Sequence, residues 1–224
     1  MKSLKNYAFV LLTCFLAINA YSQGSVSIHA GPSIPVSDFG SDDLDEDAGG
    51  AAIGVNLGLQ YVYPLSENGL GIFGGIDFNY NGLKKDVKEK TEELYESLGI
   101  NDADIKYYKY FNIPITIGLN YTYKPEDKIG VFANAGLALN FLKMTDMEVQ
   151  VSGETVSTNM DLAYGIGFKI GGGIQFNQKV FLSVDYLGLG QHDIEGKVEA
   201  TGYSEEIDTE LKVSLLALTL GVKF

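Results

Sequence analysis

Residues 161–176 read DLAYGIGFKIGGGIQF, and two residue classes alternate along them. Leu162, Tyr164, Ile166, Phe168, Ile170, Ile174 and Phe176 share one parity. Asp161, Ala163, Gly165, Gly167, Lys169, Gly171, Gly173 and Gln175 share the other. Successive side chains of a β-strand point to opposite faces, so this stretch predicts a strand with one greasy face and one small, polar face.

The same alternation recurs in seven further stretches. They predict strands over 25–36, 51–63, 70–83, 107–123, 129–142, 180–188 and 211–224, with the opening stretch sixth in order. The connections fall into two classes that alternate. Residues 64–69, 124–128 and 177–179 are short turns, whereas 37–50, 84–106, 143–160 and 189–210 are long. In an up-and-down barrel this alternation puts every short turn at one end. Tyr61, Tyr63, Tyr121, Tyr123 and Phe176 gather at that end, where an aromatic girdle meets a membrane interface.

The first 22 residues read as a secretion signal. Lys2 and Lys5 precede an apolar run from Ala8 to Ile18, and Ala20-Tyr21-Ser22 offers a small-x-small site before Gln23, with cleavage after Ala20 as a second choice. A bilayer-spanning helix needs about 20 apolar residues, more than this run supplies. Thr13 and Phe15 around Cys14 fit a lipobox badly. Cys14 is the one cysteine and leaves with the signal, which excludes disulfides, zinc–thiolate sites and thiol catalysis from residues 23–224, read as one domain. The formal net charge is −13, and losing Lys2 and Lys5 takes it near −15. A surface this acidic repels phosphate backbones, so nucleic acid is excluded as a partner.

Alternation alone fits a soluble barrel with an apolar interior equally well. The polar parity decides between them. A soluble exterior carries Lys, Glu and Arg, but here it carries Asn56, Gln60, Asp77, Asn79, Asn112, Asn120, Asn134, Asn140 and many glycines. Small residues suit the crowded lumen of an eight-stranded barrel. The fold expected is therefore all-β: an eight-stranded antiparallel up-and-down transmembrane β-barrel, monomeric, in an outer membrane. Its short turns are periplasmic, its long loops extracellular, and Leu57, Ile115 and Leu218 face lipid.

The chain resembles the eight-stranded outer-membrane β-barrel family of Gram-negative envelopes, the OmpA-type small barrels, and within it the branch that includes the PorT secretion protein. HAGPSIPVSDF at 29–39, YFNIPITIGLNY at 110–121, GIGFKIGGGIQF at 165–176 and LTLGVKF at 218–224 carry the resemblance. It implies that Phe224, with Leu220 and Val222, is a C-terminal signal read by the barrel-insertion machinery. It also implies outer-membrane lipids as surroundings and an envelope or secretion protein as partner.

The candidate sites are few. Lys169, Asp77 and Asp185 all fall on the lumen parity, and Lys169 and Asp185 lie on neighbouring strands. A charge in a narrow lumen needs a partner, so they are expected to form a structural ion pair, with an ion pathway as the alternative. His29 also faces the lumen. His192, beside Asp193 in the fourth loop, is the one candidate for a rim enzyme. The run Asp42, Asp43, Asp45, Glu46 and Asp47 fails as a calcium loop, because Ala48 and Gly54 stand where glycine and glutamate are needed. Residues 84–98 predict a helix with Val87, Thr91, Leu94 and Leu98 on one face, Asp86 and Glu89 as a capping box and Gly99 as its stop. That helix either rests on the barrel mouth or docks a partner. No cofactor or metal is expected, and the function expected is a structural or surface-interaction role in the envelope. The alternatives are an accessory barrel for protein secretion, a rim enzyme acting on lipids and a small pore.

Overall fold

The computed structural model describes residues 24–43, 48–100, 102–126, 128–151 and 153–224. The expected signal segment, residues 1–22, and Asp45, Glu46 and Asp47 of the acidic run lie outside these. Eight strands close into an antiparallel ring: β1 (Ser25–Pro35), β2 (Gly54–Pro64), β3 (Leu70–Asn81), β5 (Tyr110–Glu126), β6 (Ile129–Met144), β9 (Ala163–Phe176), β10 (Val180–Ala200) and β11 (Tyr203–Lys223). The ring closes where β1 pairs with β11, from Ser27 opposite Lys223 to Pro35 opposite Leu215. Three further strands lie in the connections: β4 (Asp104–Lys106), β7 (Met147–Val151) and β8 (Glu154–Met160).

Burial is inverted relative to a soluble protein. Asn56, Asp77, Asn79, Asn112, Asn120, Asn134, Asn140, Lys169 and Asp185 are buried, while Leu57, Ile117, Leu119, Leu137, Ile166, Leu182 and Leu220 are exposed on the outside of the wall. Each ring strand is paired with a neighbour on both sides, as a hydrocarbon surround demands. Tyr63, Tyr121, Tyr123 and Phe176 ring the short-turn end of the outer surface. A second aromatic group, with Tyr80 and Phe111 at 5.1 Å and Phe78 and Phe111 at 5.7 Å between ring centroids, lies toward the other end.

The tight turn between β9 and β10 shows how sequence sets register. Asn177 and Gln178 both take positive φ, 48° and 57°, and the Lys179 amide bonds the Phe176 carbonyl at 3.0 Å. This is a type I′ turn, whose twist matches the flanking strands, and asparagine tolerates its first position.

Two sequence expectations need correction. Residues 189–210 are not a loop. β10 runs on to Ala200 and β11 begins at Tyr203, so the two strands stay paired from Gly190 opposite Val213 to Ala200 opposite Tyr203. Those 11 pairs amount to roughly 35 Å of paired strand; the first of them, as far as His192, still wall the lumen, and the rest project beyond the ring. β10 also pairs with β8, β8 with β7 and β7 with β4, making a sheet outside the barrel in the order β11-β10-β8-β7-β4. The cause of the misreading is a bulge. The register slips between Gly188 and Gly190, with Leu189 as the extra residue and Gly190 at φ 84°. One extra residue shifts the inward parity from odd to even, so the alternation breaks at that point.

The second correction concerns the helix. α1 (Lys85–Ser97) has Lys84 as its N-cap with no side-chain cap, so Asp86 and Glu89 form no capping box. Glu89 instead pairs with Lys85 at 2.7 Å. Gly99 does end the helix, at φ 81°, with its amide on the Glu96 carbonyl.

Candidate functional site

The lumen is filled in layers. Nearest the short turns, Ser27, Gln60, Asn120, Asn134 and Gln175 line a cavity of about 40 Å³, space for a few waters. Above it lies the charge cluster. Lys169 Nζ stands 3.5 Å from Asp77 Oδ2 and 3.9 Å from Asp185 Oδ2. His29 Nε2 lies 2.7 Å from Asp77 Oδ1, which also accepts from Asn56 at 3.3 Å. The Ser183 hydroxyl donates to Asp185 Oδ2 at 3.2 Å and meets the Thr219 hydroxyl at 2.7 Å.

Six barrel strands supply these groups, and glycines on the same parity make room for them. A Cβ on Gly58 would overlap Asp77 Oδ1 and the His29 ring, and a Cβ on Gly171 would overlap Asp185 Oδ1. The glycine-rich face of the sequence is thus space reserved for long polar side chains from opposite strands. Lys169, Asp77 and Asp185 are all 3–4% exposed, so the cation is fully desolvated between its two carboxylates.

An amide layer follows. Asn140 donates to Asn112 Oδ1 at 2.8 Å and lies 2.9 Å from His192 Nε2. His192 is therefore not a loop residue. It is fully buried on β10 and points into the barrel, while Asp193 is exposed on the opposite face. Strand alternation separates the two side chains, so they form no His–Asp couple at the rim.

The outer third of the lumen is apolar. Leu187, Leu189, Val213, Leu215, Leu142 and Tyr110 are almost wholly buried there. Phe39, on a 3-10 turn (Ser37–Gly40) between β1 and β2, is inserted among them at 0% exposure, edge-on to Tyr110 with centroids 4.9 Å apart. Tyr110 Oη donates to the Gly49 carbonyl, which ties the first connection across the mouth. Val87 of α1 joins the same cluster with Leu83. The helix is held down by Lys84 on the Gly40 carbonyl, by Lys90 on the Asp42 carbonyl at 2.7 Å and by Tyr107, whose hydroxyl donates to the Lys88 carbonyl at 3.0 Å. Leu94 and Leu98, the far half of its apolar stripe, stay exposed.

Phe39, Tyr110 and the His29–Asp77 contact are not singled out by the sequence patterns. A signal for the apolar layer does exist in LKVSLLALTL at 211–220, where Leu211, Val213 and Leu215 are apolar on the lumen parity while Leu218 and Leu220 are apolar on the other. Apolar residues on both faces mark a strand buried on both sides.

A closed ring with a lipid-compatible outside and a polar inside is the architecture of the transmembrane β-barrels of outer membranes. The chain belongs to the outer membrane protein β-barrel domain family, whose model matches residues 8–224. Among solved structures it is similar to the outer membrane protein OprG from Pseudomonas aeruginosa, at 15% identity and a TM-score of 0.52, covering 91% of this chain and 97% of that one. Neisserial surface protein A is similar at 15% identity and a TM-score of 0.48, covering 90% and 96%. Comparison with curated proteins finds no match. The family sets the barrel in an outer membrane, the likeness to OprG shows the fold alone, and neither carries an activity.

Proposed function

We propose that this chain works as a closed outer-membrane barrel whose extracellular crown, rather than its lumen, meets other molecules. The observation that carries the reading is the filling of the lumen at every level: a charge cluster, an amide layer and an apolar layer stoppered by Phe39. A conduit needs a continuous wet path, and the apolar layer interrupts it. What the chain places beyond the membrane is large by comparison: the five-stranded sheet and α1, both bearing acidic residues. Phe224 serves in this reading as the signal for insertion, and the lumen charges serve stability.

The test uses single cysteines, since the chain beyond its signal has none. Thr201 at the hairpin tip and Gln178 in the tight turn are each replaced by cysteine and loaded with a photo-crosslinker on cells. Adducts at Thr201 with none at Gln178 are expected. Adducts confined to Gln178 would move the interaction to the other side of the membrane and overturn the reading.

A further inference from the structure

The protruding hairpin has a free edge. β1 pairs with β11 only up to Leu215, and among the described residues no strand pairs with the outer edge of β11 from Tyr203 to Glu210. The parity of the unpaired groups follows from the ring. Ser214 and Phe224 direct their backbone groups toward β1, whereas Lys223 bonds the β10 side. β11 carries no bulge between these points and the tip, so Ser204, Glu206, Asp208 and Glu210 present free amides and carbonyls outward.

Three of the four side chains on that parity, Glu206, Asp208 and Glu210, are acidic, and so are three of the four opposite them. On the same face of the hairpin Asp208 stands opposite Glu195 and Glu210 opposite Asp193, with Glu199 near the tip. Like charges directly opposite each other on a sheet are destabilising. Lys197 offsets one of them, reaching Glu206 at 3.9 Å. Apart from the bond that Gln191 donates to Glu210, the two acid–acid pairs add no attraction across the hairpin. They do set what the edge accepts.

We propose that the outer edge of β11 takes up an extended basic peptide strand by β-addition, with Lys or Arg at every second position opposite Glu206, Asp208 and Glu210. Main-chain bonds to the free edge give affinity, and the alternating acids give specificity. A second copy of this chain is rejected, because pairing through the same edge brings acids against acids. The proposal rests on the crown being the interacting part of the molecule and names its partner chemistry.

The test uses the full chain folded in neutral phosphatidylcholine vesicles, so that lipid charge draws no peptide. The probe is a fluorescein-labelled peptide of alternating Lys and Val or Thr, read by anisotropy. Saturable binding is expected, weakened about tenfold or more by raising salt from about 50 to about 300 mM. The same peptide with alternate backbone nitrogens methylated keeps its charge and loses its donors, and it should not bind. The Glu206→Lys, Asp208→Lys double variant, checked for folding by circular dichroism, should also lose binding. No binding of the basic peptide, equal binding of the methylated one, or dimerisation of the protein through this edge would each overturn the proposal. Crosslinks at Thr201 that persist in the first of these cases would leave the crown reading standing without the basic strand.

Discussion

Replacing Lys169 with Met removes one charge from the centre of the barrel and keeps most of the side-chain volume. In the wild type the ammonium lies 3.5 Å from one carboxylate and 3.9 Å from the other. At an effective dielectric of about 20 each contact contributes roughly 4 kcal/mol before desolvation is charged against it. Asp77 keeps His29 and Asn56 when the lysine is gone. Asp185 keeps only the Ser183 hydroxyl, and its Oδ1 has no hydrogen-bond partner among the described residues. The stranded charge is therefore mainly Asp185, and Lys169→Met should cost about 3–5 kcal/mol, the usual penalty for breaking a buried pair from one side. Adding Asp185→Leu should recover most of the loss, whereas adding Asp77→Leu to Lys169→Met should recover less, because it also strands His29 and Asn56. The chain contains no tryptophan, so urea unfolding in detergent or vesicles is followed by far-ultraviolet circular dichroism. Equal stability of wild type and Lys169→Met, or equal rescue by the two second substitutions, would refute this reasoning.

Leu218→Arg places a cation on the outer wall and should destabilise the inserted barrel by about 2–4 kcal/mol near the midplane, measured by the same unfolding. Phe39→Ala removes the stopper of the apolar layer and should cost about 3–5 kcal/mol, with faster hydrogen exchange confined to the amides of the outer third. Gly171→Leu forces a Cβ into the Val184 carbonyl at 2.6 Å and into Asp185, and should abolish insertion, scored by loss of the heat-sensitive gel shift. Protease added to intact cells should cut near Thr201–Gly202 and within residues 36–53 while sparing Asn177–Lys179.

The ring was legible because its determinants are local. Period-two alternation survives in the ring strands β1, β2, β3, β5, β6 and β9, and the small, uncharged residues on one parity, such as Asn134, Gly136 and Gly171, distinguish lumen from solvent. The protruding hairpin was not legible, since the bulge at Leu189 flips parity in mid-strand and the acids of 193–210 resemble a solvated loop. The charge cluster could be anticipated in part. Lys169 and Asp185 sit on adjacent strands, but the reach of Lys169 to Asp77, and of His29 to Asp77, crosses the lumen and depends on ring closure. The stopper was hidden for a related reason. Phe39 lies in a connection, and only the folded chain shows that the connection turns inward.

The filled lumen is the central claim, and conductance of the purified full chain in a planar bilayer tests it most directly. The wild type should give no steady current at moderate voltage, and Phe39→Ala alone should give at most brief, small openings, because the Lys169–Asp77–Asp185 layer still blocks the path. A stable, porin-sized conductance from the wild type would contradict the claim and make the chain a pore.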